Sequence, residues 1–159
     1  QGAGEVRLRL MPIPDVELAY LAGFFDGEGS IMILAQTGAC RGPGRYRLVL
    51  AVSNTVDHSV VRYVLAFGGT VIPVKAKNVR SKSSFRWMIT SVGAEKALTG
   101  MLPFLRVKKE QATVALEFRK LFRRRVRGAK LNSSEVEQRN KFVHRIKLLN
   151  AKGPVAVCR

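Results

Sequence analysis

Acidic side chains are scarce in this sequence: 11 Asp and Glu stand against 28 Lys and Arg, a formal net charge of +17. That imbalance points to a polyanionic partner, most often nucleic acid. Cysteine is nearly absent. Cys40 and Cys158 are too few and too far apart for a disulfide framework, and no CxxC pair occurs. An intracellular protein with reduced thiols, in a prokaryotic cytoplasm or a eukaryotic organelle, is the expectation. No apolar run nears the roughly 18 residues of a membrane span, and the N-terminus lacks the apolar stretch of a signal peptide. An opening at Gln1 reads as loss of an initiator or short leader. The apolar fraction of 47% argues against disorder, and 159 residues suffice for one domain with a core.

The few acids are unevenly placed. Residues 1–37 hold two basic and five acidic side chains, 38–91 nine and one, 92–130 eleven and three, 131–159 six and two. A small negative spot in a positive field suits a metal site facing a phosphate backbone; a basic surface with scattered acids is the plainer alternative. The spot centres on LAGFFDGEG, residues 21–29. With Asp15 as N-cap, helical spacing of Leu18, Leu21, Ala22 and Phe25 predicts a helix to Asp26, ended by Gly27 and Gly29. Asp26 and Glu28 then lie at a helix C-terminus, where the macrodipole disfavours an acid. Gly23 and Gly27 share one face, and each costs up to about 1 kcal/mol relative to alanine. Close approach of an equivalent helix accounts for both, whereas a C-cap accounts for Gly27 alone. Two such helices side by side bring their acids together. A divalent cation held by carboxylate and carbonyl oxygens relieves that conflict, and in nucleases it activates water at a phosphodiester. A cap or turn role for Asp26 stands beside the ligand role, whereas Glu28, between two glycines, has no helix to stabilise.

Residues 30–36 read as a strand, followed by a turn at GACRGPG, and 45–53 as a second strand with Leu48, Leu50 and Val52 on one face. Asp57 caps a helix that stops at Gly68-Gly69, and strands follow at 70–77 and 85–91. Helices are predicted at 93–102, 108–124 and 133–150, the last opened by a capping box of Asn132 and Glu135. The order αββαββα with paired strands gives an α+β class: a four-stranded antiparallel sheet backed by helices, plus C-terminal helices. The whole chain, 1–159, reads as one domain, with a core at about 13–130 and a helical extension at about 131–152.

At LAGFFDGEG the sequence resembles the LAGLIDADG homing endonucleases, single-motif type, and the likeness extends over about residues 13 to 150. The resemblance implies a homodimer whose motif helices meet at the two-fold axis through Leu21, Gly23, Phe24 and Gly27. It implies site-specific double-strand cleavage of a long, partly palindromic DNA target, with the sheets in the major groove and Mg²⁺ as cofactor (Mn²⁺ or Ca²⁺ as substitute ligands). Glu28 then ligates the metal with the carbonyl of Gly27, while Asp26 is structural support. PFLRVKKEQA, residues 103–112, resembles the segment supplying an active-site lysine, here Lys108. That lysine is a cation at the positive end of a helix, either compensated by a phosphate or a solvated surface group. Asn54 matches a polar residue that orders active-site water, and equally suits a turn. Such enzymes lie within introns or inteins, and a compact chain suits an intron. An intron RNA maturase of the same fold, or a non-catalytic basic nucleic-acid-binding protein, are the rival readings.

If Leu48, Leu50 and Val52 pack on helices, then Arg47, Val49, Ala51 and Ser53 face the groove, with Arg86, Met88 and Thr90 from the fourth strand and Met32, Leu34 and Gln36 from the first. Arginine on guanine edges and apolar groups on thymine methyls suit such a face. Arg41, Arg45, Lys75, Lys77, Arg80 and Lys82 extend the footprint from strand ends and loops. The basic run at 119–130 is expected to touch phosphates without reading sequence.

Overall fold

The computed structural model of the chain describes residues 12–36, 45–76, 82–122 and 131–151. α1 (Asp15–Glu28) leads directly into β1 (Gly29–Gln36), which pairs antiparallel with β2 (Arg45–Asn54). α2 (Asp57–Phe67) follows, then β3 (Thr70–Val74), β4 (Ser84–Thr90), α3 (Ser91–Met101), α4 (Lys109–Lys120) and α5 (Ser133–Asn150). The sheet order is β1-β2-β4-β3, all antiparallel, so the α+β class stands.

Register divides the sheet into two faces, because cross-strand partners share a side. One carries Ile31 and Ile33 of β1, Leu48, Leu50 and Val52 of β2, and Trp87 and Ile89 of β4. These join Leu21, Ala22 and Phe25 of α1, Val60 and Tyr63 of α2, and the inner sides of α3, α4 and α5 in one core. Tyr63 is wholly buried there and donates its hydroxyl to the carbonyl of Leu21 at 2.7 Å, which ties α2 to α1. Burial pushes that phenol above its ordinary value of 10.0, with a smaller push from Tyr20. Trp87 packs tilted against the Tyr63 ring, with centroids 4.8 Å apart, and gives its indole N–H to the carbonyl of Gly68. Gly68 and Gly69 both adopt positive φ (75° and 92°), and a Cβ at Gly69 would lie 2.5 Å from the carbonyl oxygen of Met88. Only glycine lets α2 turn into β3 there.

α5 braces β1 and β2. The hydroxyl of Tyr46 donates to Asn140 at 2.7 Å, and Asn150 donates to the carbonyl of Ile31 at 2.8 Å. Arg139 is buried with its guanidinium 4.2 Å from the Phe122 ring. The Asn132–Glu135 capping box forms in both directions, at 2.8 and 2.9 Å, as the sequence predicts. Among the helix starts, α3 begins at Ser91 rather than 93, α4 at Lys109 rather than 108, and two expected N-caps fall one residue inside their helices. Pro14 and Val56 occupy the N-cap positions, and Asp15 and Asp57 stand inside the first turn. The third strand stops at Val74, short of the expected 77.

Candidate active site

The C-terminus of α1 and the N-terminus of α4 meet, and their polarities are opposite. The Asp26 carboxylate accepts three consecutive backbone N–H groups: Arg106 (2.7 Å) and Val107 (3.1 Å) on Oδ2, Lys108 (2.9 Å) on Oδ1. In return the Lys108 ammonium donates to the main-chain carbonyl of Asp26. Each side chain thereby serves the other helix's unsatisfied end: the acid faces free N–H groups, the cation faces free carbonyls. An acid badly placed on its own helix is well placed on its neighbour's. Partial burial, the largest single influence, pushes the Asp26 carboxyl up. The N–H groups of Arg106, Lys108 and Val107, with the Lys108 charge, outweigh it and hold the carboxyl below its ordinary 3.8.

Glu28 is in a different position. It is the last residue of α1, so the helix runs past Gly27, and the expectation that Gly27 ends it is corrected. The helix continues because the terminator is Gly29, whose extended backbone (φ −80°, ψ 159°) starts β1 and whose N–H still bonds the carbonyl of Phe25. A Cβ on Gly29 would sit 2.5 Å from that carbonyl oxygen and from the Phe25 ring. The tight junction fixes Glu28 at the seam between α1 and the sheet, beside the end of β2, since Gly29 pairs with Val52. Its carboxylate is exposed and, among the described residues, has no ion pair or hydrogen bond. Asn54 ends β2, and its Oδ1 accepts the Val56 N–H at 2.8 Å in a turn toward α2. No hydrogen bond among the described residues joins Asn54 to Glu28 or Lys108. Also among the described residues, no group of three His, Cys, Asp or Glu side chains could hold a metal ion.

The outward side of α1 carries Ala19, Gly23 and Gly27, all exposed, with Val16 at 82% and Tyr20 at 45% exposure. A Cβ added at Gly23 or Gly27 would meet nothing within 4 Å. A groove of about 540 Å³ lies alongside, lined by Gly23, Asp26 and residues 103–106. Leu21, expected at the dimer interface, is corrected: it is 0% exposed, because helical period places it with Ala22 and Phe25 against the chain's own core. Phe24 is half-buried beside Tyr63. Ala19 and Tyr20 share the outward side and were missed; their four-residue spacing from Gly23 and Phe24 was the available signal.

The sheet's open face carries the residues that strand alternation assigned to it. Arg45, Arg47 and Arg86 are exposed; Ser53, Met88 and Thr90 are half-buried. The Nε of Arg86 donates to the Ser53 hydroxyl at 3.1 Å. Val49 and Ala51 also lie on this side but are closed to solvent, flanked in register by Met32 and Thr90 and by Ser30 and Met88; their expected contact with the groove is corrected. Ile72 of β3, not foreseen, adds an apolar group at 45% exposure. Lys75 and Lys82 are exposed at the β3–β4 turn. Gln36 ends β1 opposite Arg45. Arg41, Lys77 and Arg80 lie outside the described residues, as do 123–130 of the basic run. Arg119 of that run is 8% exposed and paired with Glu95 at 3.1 Å, so it is part of the core rather than a phosphate contact.

No family model matches this sequence, and no curated protein does. Solved structures do. The homing endonuclease I-CvuI, in complex with the I-CreI target in the presence of Mg, aligns over 88% of this chain and 86% of its own, with TM-score 0.69 at 20% identity. The archaeal intron-encoded homing endonuclease I-Vdi141I, complexed with DNA, aligns over 88% and 87%, with TM-score 0.70 at 19% identity. The LAGLIDADG homing endonuclease I-SmaMI, bound to cleaved DNA, aligns over 88% of this chain and 45% of its own, with TM-score 0.55 at 19% identity. The chain has the fold of the LAGLIDADG homing endonucleases.

Proposed function

We propose that this chain is a homodimeric, divalent-metal-dependent endonuclease that cuts both strands of a long, partly palindromic DNA site. The observation that carries this reading is the tip of α1: an uncommitted carboxylate, Glu28, lies two residues beyond the carbonyl that holds the Lys108 ammonium. The neighbours' complexes with DNA support the polyanion, as does the net charge of +17.

Glu28 and the carbonyl of Gly27 are hard oxygen donors and fit Mg²⁺, with Mn²⁺ or Ca²⁺ able to take the same ligands. One tip offers too few ligands, so a cation held there would need further oxygens from a second chain's tip or from phosphate. When bound, the cation supplies Lewis-acid activation of water and neutralises charge at the phosphodiester. Lys108 places a fixed positive charge beside the same phosphate and stabilises the charge that builds there. The oxygen of Asn54 is already used by the Val56 N–H, which leaves its NH₂ to hold water in line. Asp26 is committed to backbone and supports the site.

Dimerisation uses the outward side of α1, where Gly23 and Gly27 leave room that this chain does not fill. The open sheet face enters the major groove, with Arg45, Arg47 and Arg86 toward guanine edges and Leu34, Ile72 and Met88 toward thymine methyls. Gln36 lies opposite Arg45 and joins that face, while Lys75 and Lys82, with Arg41, Lys77 and Arg80, extend the contact along the backbone, so binding weakens steeply with salt. Incubation with a plasmid library of intron-insertion sequences and Mg²⁺ tests the reading. Discrete double-strand breaks support it; tight binding of intron RNA without any break would favour a maturase instead.

A further inference from the structure

We propose that Asp26 is a positioning residue of the cleavage site and acts through Lys108; the inference rests on the nuclease reading above. A lysine side chain is long and flexible, and left alone it spreads its charge over many rotamers. Here Lys108 is tied at both ends to one residue: its backbone N–H to the Asp26 carboxylate, its ammonium to the Asp26 carbonyl. Arg106 and Val107 are bound by the same carboxylate, so the whole turn entering α4 takes its position from Asp26. Glu28 is two residues further along the same helix. One carboxylate therefore sets the separation between the metal-ligating acid and the cation that faces the phosphate. The residue type follows from the donors: three N–H groups need two accepting oxygens, which asparagine cannot supply.

The test is a double-mutant cycle on the full chain with Mg²⁺ and a cleavable target, comparing wild type, Asp26→Asn, Lys108→Met and the double variant. Single-turnover cleavage at saturating DNA is read separately from the DNA concentration giving half-saturation. Asp26→Asn is expected to lower the rate about a hundredfold, the scale of a small displacement of a catalytic group, with half-saturation little changed. The double variant is expected to cut no slower than Lys108→Met alone, to within about twofold. Amide hydrogen exchange at Arg106, Val107 and Lys108 should accelerate in the Asn variant. Should that variant not fold, Asp26→Glu, which keeps two acceptors but shifts them by a methylene, carries the same cycle. Fully additive losses, or an Asn variant that cuts like wild type, would overturn the inference while leaving the nuclease reading intact. A wild type that cuts no target would overturn both.

Discussion

The two sides of α1 differ sharply in what they touch. Inward, Leu21, Ala22 and Phe25 are all 0% exposed and lock the helix to the sheet and α2. Outward, Gly23 and Gly27 look onto space that a methyl group would enter without meeting anything within 4 Å. The same division recurs at the tip. Asp26 is bound into α4 by three N–H groups, whereas two residues later Glu28 has no partner among the described residues. The difference separates what the helix spends on its own fold from what that fold leaves unused.

The contrast is broken most severely from the inside. Phe25→Ala should cost about 3–5 kcal/mol, measured by denaturant unfolding, because it empties a fully packed site under Gly29. Next is Asp26→Asn, expected to cost about 1–3 kcal/mol through backbone donors left without an acceptor. The same residue gives a pH signature. Its folded carboxyl is held below 3.8, so its contribution is complete above that value and is lost as pH falls through the lower folded pKa. The acid limb of the stability profile should therefore be shallower in the Asn variant. On the outward side, Gly23→Ala should leave the single-chain fold unharmed or raise its stability by up to about 1 kcal/mol, while sedimentation shifts toward monomer. An unshifted dimer would show that this side faces no partner. Smallest of all, Glu28→Gln should change unfolding by less than about 0.5 kcal/mol, since the group is exposed and unpaired among the described residues.

Local signals were legible where local physics decides. Alternation assigned both faces of the sheet correctly, and the Asn132–Glu135 box marked the start of α5 to the residue. Long-range partners were not legible. The donors that explain Asp26 lie 80 and more positions away, so from sequence the acid read only as a conflict with its own dipole. Arg119 was grouped with a basic run because charge alone was visible; its turn inward depends on Glu95, 24 positions earlier on a different helix. The resemblance assigns Leu21 to the dimer interface, but its helical phase with Ala22 and Phe25 puts it in the core. Val49 and Ala51 had the right parity but the wrong exposure, since alternation says nothing about how far flanking side chains close over a strand's middle.

Cleavage by Glu28→Gln, measured beside target binding in the same buffer with Mg²⁺, tests the central claim most directly. The account predicts that binding persists near the wild-type level and that no double-strand break forms. A Glu28→Gln variant that cuts at the wild-type rate would contradict it.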